Sequence, residues 1–466
     1  MKDVTQSAKP NGAELVKEAE AFLVANPDVT HVAMVFTDMS GVARGKLLTR
    51  DEVPAAFRNG RFFPGSMISI DVTGRDVEET GLVWEDGDGD RVCWPVPGTL
   101  VRIPWMNDAQ AQYLATLHEV SGDPSYIEPR QTLVRVIDRF KRETGLTPVA
   151  AVELEFYLMD RDSALAGKPL PPRSLTNNAR TTQIQCYLLQ DLEDFGPFFR
   201  DLYQGAKVQG LPAEALISEY APGQMEIGLK HRADALRACD DAIMFKRLVK
   251  GTAERHGLVA SFMAKPYKDQ AGCGMHIHAS LADAAGKNAF ATDDPVSHPL
   301  LRQCVAGLKA TMGDALAVFA PNANSYRRFR KHSYAPVKPN WGINNRTVSI
   351  RIPASTGAAT HLEHRICGAD ANPYLVLAAV LSGMLHGITQ RLDPGPPVKG
   401  NGYAIPAEAL PTNWFDAIDT FRDSQVMKEY MGERLVNVFA TIKEVEADRF
   451  FSEPQPLDFE YYLRTI

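Results

Sequence analysis

Glu153 and Glu155 interrupt the apolar run Val149-Ala-Ala-Val-Glu-Leu-Glu-Phe-Tyr-Leu158. Alternate side chains of a strand share a face, so the two carboxylates project together, about 7 Å apart. Buried without a counter-charge, such a pair is costly. The face is therefore either solvated or holds a cation, a divalent ion being the simplest choice. His276-Ile-His278 repeats the pattern behind the flexible Ala271-Gly-Cys-Gly-Met275. Two imidazoles on one face are either metal ligands or satisfied structural groups. Glu219 and Glu226 flank Tyr220-Ala-Pro-Gly-Gln-Met225, a turn that either brings both acids to one point or is ordinary surface loop.

The stretch from 324 to 365 concentrates positive charge: Arg327, Arg328, Arg330, Lys331 and His332, then Arg346, Arg351 and Arg365, with Glu363 close to the last. The planar guanidinium pairs bidentately with phosphate and carboxylate. The cluster therefore reads as a site for a multiply charged anion, against a solvated basic face or an oligomer interface. Acids and histidines suited to hard cations, together with these arginines, suggest metal-assisted phosphoryl transfer. Neither a GxxxxGK[ST] loop nor the protein-kinase motif set is present.

These side chains need elements to position them. Ala13–Leu23 has helical spacing; His31–Phe36 and Val42–Leu48, joined by Asp38-Met-Ser-Gly41, read as a hairpin. Residues 60–105 hold short β-type runs, and Glu85-Asp-Gly-Asp-Gly-Asp90 reads as an acidic turn because it lacks the Glu of a calcium loop. Beyond a boundary near Gly122–Pro129, the pattern predicts a helix over Gln131–Thr144 and a strand over Pro148–Met159. Helices are predicted over Leu192–Gln209, Asp234–His256, Pro299–Phe319 and Trp414–Asp448. The fold class is α+β.

The chain has 466 residues, 45% hydrophobic and 23% charged, which excludes disordered, coiled-coil and collagen-like chains. Lys plus Arg is 50 against 57 Asp plus Glu, a formal charge of −7, so a nucleic-acid partner is not expected. The start lacks a signal-peptide pattern. The longest apolar stretch, Pro373–Ile388, carries Ser382 and His386 and reads as a buried helix rather than a membrane span. The six cysteines are dispersed without a CxxC. A soluble, cytoplasmic protein without membrane partners is the expectation.

Taken together, Glu153-Leu-Glu155-Phe, Glu219-Tyr-Ala-Pro-Gly-Gln-Met-Glu226, Lys265-Pro266 through Gly274-Met-His-Ile-His278, Asn324-Ser-Tyr-Arg-Arg328, Asn345-Arg-Thr-Val-Ser-Ile-Arg-Ile-Pro353, Glu363-His-Arg365 and Asn372-Pro-Tyr374 resemble the glutamine synthetase family, in its order and approximate spacing. The resemblance covers nearly the whole chain. It implies a small β-grasp-like N-terminal domain (13–125) and a large catalytic domain (126–466) with an antiparallel sheet and helices. It also implies ring-shaped homo-oligomers, often double hexamers, with active sites between subunits. Motif by motif, it assigns one metal to Glu155, Glu219 and Glu226, and another to Glu153, His276 and Glu363. Two to three Mg²⁺ or Mn²⁺ ions per site are implied, with ATP as co-substrate. Glu214, His278 and Ser280 match nucleotide-contacting positions, and Arg346 and Arg351 match phosphate-contacting ones. Gly272, Arg328 and Arg365 match positions handling glutamate and its developing phosphate.

The sequence departs from ammonia-using members. Tyr334 stands where they carry an acid, Pro64 replaces an Asp before Gly65-Ser66, and Ala271 replaces an Asn. Losing both ammonium-handling acids argues for an organic amine as nucleophile, with Tyr334 and Trp341 available to contact it. The pattern is similar to γ-glutamylpolyamine and related γ-glutamylamide synthetases. An ammonia-using enzyme and an inert structural member are the alternatives. Tyr403 lies where some members are adenylylated, and reads as an ordinary loop tyrosine.

Overall fold

The computed structural model describes residues 10–85, 87–106, 109–331, 333–406 and 409–466. His332, Asp86 and residues 1–9 of the expectations above lie outside them. Two sheets carry the chain. The first contains β1 (His31–Thr37), β2 (Ala43–Thr49), β3 (Arg61–Pro64), β4 (Asp90–Pro95), β5 (Val101–Arg102) and β6 (Gln110–His118). Its order is β2-β1-β6-β4-β3, with β5 also on β6. The expected hairpin is there. Asp38 closes its turn by accepting the backbone N–H groups of Ser40 and Val42, both at 2.9 Å.

The second sheet contains β7 (Thr147–Asp160), β8 (Ala213–Ser218), β9 (Gln224–Leu229), β10 (Leu258–Ser261), β11 (Met275–Ala282), β12 (Trp341–Ile343), β13 (Ile350–Ile352) and β14 (Leu362–His364). Its order is β12-β13-β14-β11-β7-β9-β8, with β10 also on β7. Every pairing is antiparallel except β12 with β13. Ala150, Val152, Leu154 and Phe156 of β7 point into the core. The pleat therefore turns Glu153 and Glu155 to the opposite face.

Helix Pro373–Thr389 is buried along nearly its full length. It crosses Pro299–Thr311 so closely that a Cβ at Gly307, Gly383 or Gly387 would collide with the facing helix. Among the described residues no helix is long and apolar enough to cross a membrane. Three long helical readings divide into shorter pieces. Leu192–Gln209 breaks at Phe195, before Gly196-Pro197, because proline supplies no N–H to continue a preceding turn. Pro299–Phe319 becomes Pro299–Thr311 and Leu316–Phe319. Trp414–Asp448 becomes Trp414–Asp423, Gln425–Met431 and Glu433–Ser452. Its breaks fall where Ser424 caps a new start and where Gly432 takes φ 100°. All six cysteines are free thiols, and only Cys186 is exposed.

Polar ties connect the sheets. Asn372 caps its helix through Tyr374 N–H and donates to the Asp38 carbonyl at 3.0 Å. Arg130 grips Asp240 with two bonds of 2.8 and 3.0 Å, and Tyr374 donates to the same carboxylate at 2.7 Å. Beside them Glu128 is buried, capping helix Pro129–Thr144 through Gln131 N–H at 2.6 Å. Burial pushes its pKa from 4.5 to about 7, against the pull of the Gln131 N–H and Arg130. A carboxyl whose folded pKa is raised favours folding while protonated, so its contribution is lost as pH rises from about 4.5 through 7. Glu128→Gln keeps an acceptor and removes the titration. Thermal melts from pH 5 to 8 should show a flatter decline in Tm for E128Q, and a higher Tm than the parent at pH 8. Identical slopes contradict this.

Candidate active site

Strand register assembles the site. On β7 and β11, Glu153 pairs with His276; on β7 and β9, Glu155 pairs with Glu226. On β11 and β14, His278 pairs with Glu363, and Glu363 pairs with Arg351 of β13. These cross-strand pairs lie side by side on one face. His276 Nδ1 stands 2.6 Å from Glu153 and 3.6 Å from Glu363, and His278 Nε2 stands 3.4 Å from the other Glu153 oxygen. Two trios bring potential ligand atoms within 4.8 Å of one another: Glu153, Glu226 and His276; and Glu153, His278 and Glu363. Glu153 belongs to both. Glu155 accepts the Gly274 N–H at 2.9 Å and the Gln224 amide at 3.2 Å. Glu219 directly follows β8, where its N–H donates to the Gln224 carbonyl at 2.8 Å and closes the 219–224 turn.

The acids divide by their neighbours. Burial works against the charge of Glu363, but Arg365, His276 and His278 outweigh it and hold the pKa at about 2. Arg351 pairs with Glu363 at 2.8 Å, and Arg365 also bonds to it. Burial is likewise outweighed at Glu153, where His276 and His278 hold the carboxyl well below its ordinary value. Glu226 has no such partner, and at Glu219 the charge of Arg346 offsets only part of the push. Burial, then the charges of Glu153 and Glu155, push Glu219 and Glu226 up to about 7 and about 10. Crowded carboxylates whose charge is only partly offset by positive side chains, with imidazole beside them, suit hard divalent cations. The residues present fit such ions.

Alongside the acids a cavity of about 360 Å³ opens. Glu153, Glu214, His278 and Ser280 line it. His361 and His231 also line it, and neither stands out in the sequence reading. His361 Nε2 lies 3.1 Å from His278 Nδ1, and its Nδ1 lies 2.8 Å from the Ala359 carbonyl. The signal for His361 was available: His361-Leu-Glu363 continues the alternation of the two earlier pairs. Tyr187 was also missed. It is 57% exposed, holds φ 60°, and feels the charges of Glu219, Arg346 and Glu226.

The arginine-rich stretch separates into different environments. Arg328 is only 5% exposed and donates to the carbonyls of Ile366 at 2.7 Å and Arg365 at 3.4 Å. A Cβ at Gly272 would strike the Arg328 side chain and the Ala264 carbonyl, so that glycine permits the close approach. Arg351 faces the acids; Arg346 is exposed near Glu219. Arg327 and Arg330 bond to the Ala323 and Lys268 carbonyls instead. Tyr334 is 65% exposed at φ 56°. Trp341 corrects an expectation: it is buried in the core with its ring N–H donating to the Gly395 carbonyl at 3.3 Å, so it is not an amine contact. Tyr403 is also buried, and its hydroxyl donates to the Ala335 carbonyl. Pro64 ends the edge strand β3, opposite Asp90 of its own sheet.

The family model for the glutamine synthetase catalytic domain matches residues 126–462. The chain belongs to the glutamine synthetase family. Gamma-glutamylputrescine synthetase PuuA of Escherichia coli is 38% identical to it, over 99% of this chain and 97% of that protein. Glutamate–isopropylamine ligase of a Pseudomonas species is 33% identical, over 98% and 100%. The solved structure of GmaS in complex with ADP superposes with a TM-score of 0.83 at 28% identity, covering 96% of this chain and 99% of that one. Enzymes of the family use ATP and divalent metals, and this chain brings Glu153, Glu155, Glu226, His276, His278 and Glu363 to one sheet face, with Glu219 in the turn that follows β8 and His364 buried on the other face.

Because both trios share Glu153, substitutions should separate them. Mn²⁺ titration of Glu153→Ala, followed by electron paramagnetic resonance, should show both positions weakened about 10–100-fold. Glu226→Ala should weaken one and spare the other. The same loss in both variants contradicts the shared-ligand geometry.

Proposed function

We propose that this chain is an ATP-dependent ligase that joins the γ-carboxylate of L-glutamate to an organic amine through a γ-glutamyl phosphate. A carboxylate is a poor electrophile, and phosphorylation supplies a leaving group. The reaction must first bring two anions together. Mg²⁺ or Mn²⁺, two to three ions on the acid cluster, would offset that repulsion and orient the phosphates. Glu214, His278 and Ser280 receive the nucleotide in the cavity beside Glu153. Arg346 and Arg351 face its phosphates. Arg328 and Arg365, with the backbone at Gly272, orient the glutamate and stabilise charge on the carboxylate oxygen being phosphorylated. The amine then attacks the acyl carbon, a C–N bond forms, and phosphate leaves.

The observation that carries the choice of amine is the exposed aromatic Tyr334, where ammonia-using members carry an acid. A ring face attracts an ammonium and packs against an alkyl chain, while it cannot take up a proton. The ligation of putrescine and isopropylamine by the two relatives supports this reading. Pro64 lies on an edge strand, where ammonia-using members carry an Asp. We place it in the site of a neighbouring copy, within a homo-oligomer of hexameric rings, in the cytoplasm.

The test is ADP release with ATP, Mg²⁺ and glutamate across ammonia, methylamine, ethanolamine, isopropylamine, putrescine and spermidine, with the product weighed by mass spectrometry. An organic amine should exceed ammonia at least about tenfold in kcat/KM, and Tyr334→Ala should raise its KM about tenfold without moving the KM for ATP. Ammonia as the preferred substrate contradicts the proposal.

A further inference from the structure

We propose that Asp370 is a positioning residue that holds Arg328 in place for the substrate carboxylate; this rests on the ligase reading above. Asp370 lies five residues beyond Arg365, in the segment 366–372 that follows β14. One of its carboxylate oxygens accepts both the Asn322 amide at 2.8 Å and the Ser325 hydroxyl at 2.7 Å. Asn322 and Ser325 begin the short turn that carries Arg328. Within it the Asn322 side chain accepts the N–H groups of Asn324 and Ser325 at 3.0 and 3.2 Å. The guanidinium at the end of the turn then donates back to the carbonyls of Ile366 and Arg365. Segment 365–370 thus grips both ends of the Arg328 unit: the turn through Asp370, the charged head through two carbonyls.

The segment is itself pinned. The half-buried Lys246 ammonium donates to the carbonyls of Ala369 at 2.6 Å and Ala371 at 3.2 Å, one on each side of Asp370. A side chain at Gly368 would collide with the Asp370 carboxylate. The second Asp370 oxygen is buried without a hydrogen-bond partner among the described residues. A buried carboxylate oxygen left without a donor is expensive. What it supplies is a charged double acceptor for the Arg328 turn. A neutral acceptor of the same shape can still receive both bonds, so the conservative variant should restore function.

The experiment uses the full-length protein. Asp370→Ala should raise the KM for glutamate at least about tenfold while the Kd for ADP stays within about twofold. Asp370→Asn should return most of the loss. In an Arg328→Ala background, Asp370→Ala should add no further rise, because the two act as one unit. Equal effects of Asp370→Ala with and without Arg328, or equal losses for glutamate and nucleotide, overturn the proposal. Should Asp370→Ala fail to fold, Asn322→Ala and Ser325→Ala remove the same bonds from the other side and are read identically. Hydrogen–deuterium exchange gives a readout that needs no turnover. Residues 322–328 should exchange faster in Asp370→Ala while β7 and β11 do not change. Unchanged exchange there overturns the proposal. Absence of glutamate-dependent ADP release in the parent protein would instead fault the ligase reading.

Discussion

The site depends on strand register. Glu226 faces Glu155, Glu153 faces His276, and His278 faces Glu363, which in turn faces Arg351. A slip of one residue in any of these pairings would turn a whole set of side chains from the functional face into the core. The apolar partners on the buried face prevent that slip. Ala150, Val152, Leu154 and Phe156 of β7, with Met275, Ile277 and Ala279 of β11, are essentially inaccessible to solvent. The hydrophobic core therefore does more than stabilise the sheet. It aligns the acids with the imidazoles across neighbouring strands.

Concentrating carboxylates in this way creates an electrostatic problem that the fold solves unevenly. On the Glu363 side, Arg351, Arg365 and the two histidines neutralise the acid within the protein. On the Glu226 side only Arg346 opposes the acids, through Glu219, and burial with like charge still pushes Glu219 and Glu226 up. A divalent ion held there by Glu219 and Glu226 would displace protons and relieve the repulsion. The asymmetry distinguishes the half of the site whose charges are balanced within the protein from the half that cations would complete. The Arg328 turn belongs to the balanced half, held by the segment that follows Glu363 and Arg365.

Much of this was legible in the residues. Glu-x-Glu and His-x-His each announce a shared strand face, and both faces are where that alternation puts them. The β1–β2 hairpin and the buried Pro373–Thr389 helix follow from turn chemistry and apolar content. Other features depend on contacts between distant segments. Nothing local to Gln224 says that its amide reaches Glu155 and the Gly272 carbonyl. Nothing local to Trp341 says that it is core rather than pocket. Helices 189–208, 299–319 and 414–452 keep one amphipathic rhythm across interruptions at Phe195, Gly313 and Gly432, so periodicity alone runs them together.

The most direct test is isotopic. Glutamate carrying ¹⁸O in its γ-carboxylate is turned over with ATP, Mg²⁺ and the preferred amine, and the released phosphate is analysed. Phosphorylation of the carboxylate predicts one ¹⁸O atom in each phosphate and a γ-glutamyl amide retaining the other. Phosphate free of ¹⁸O would show that the acid cluster and its arginines serve a different reaction.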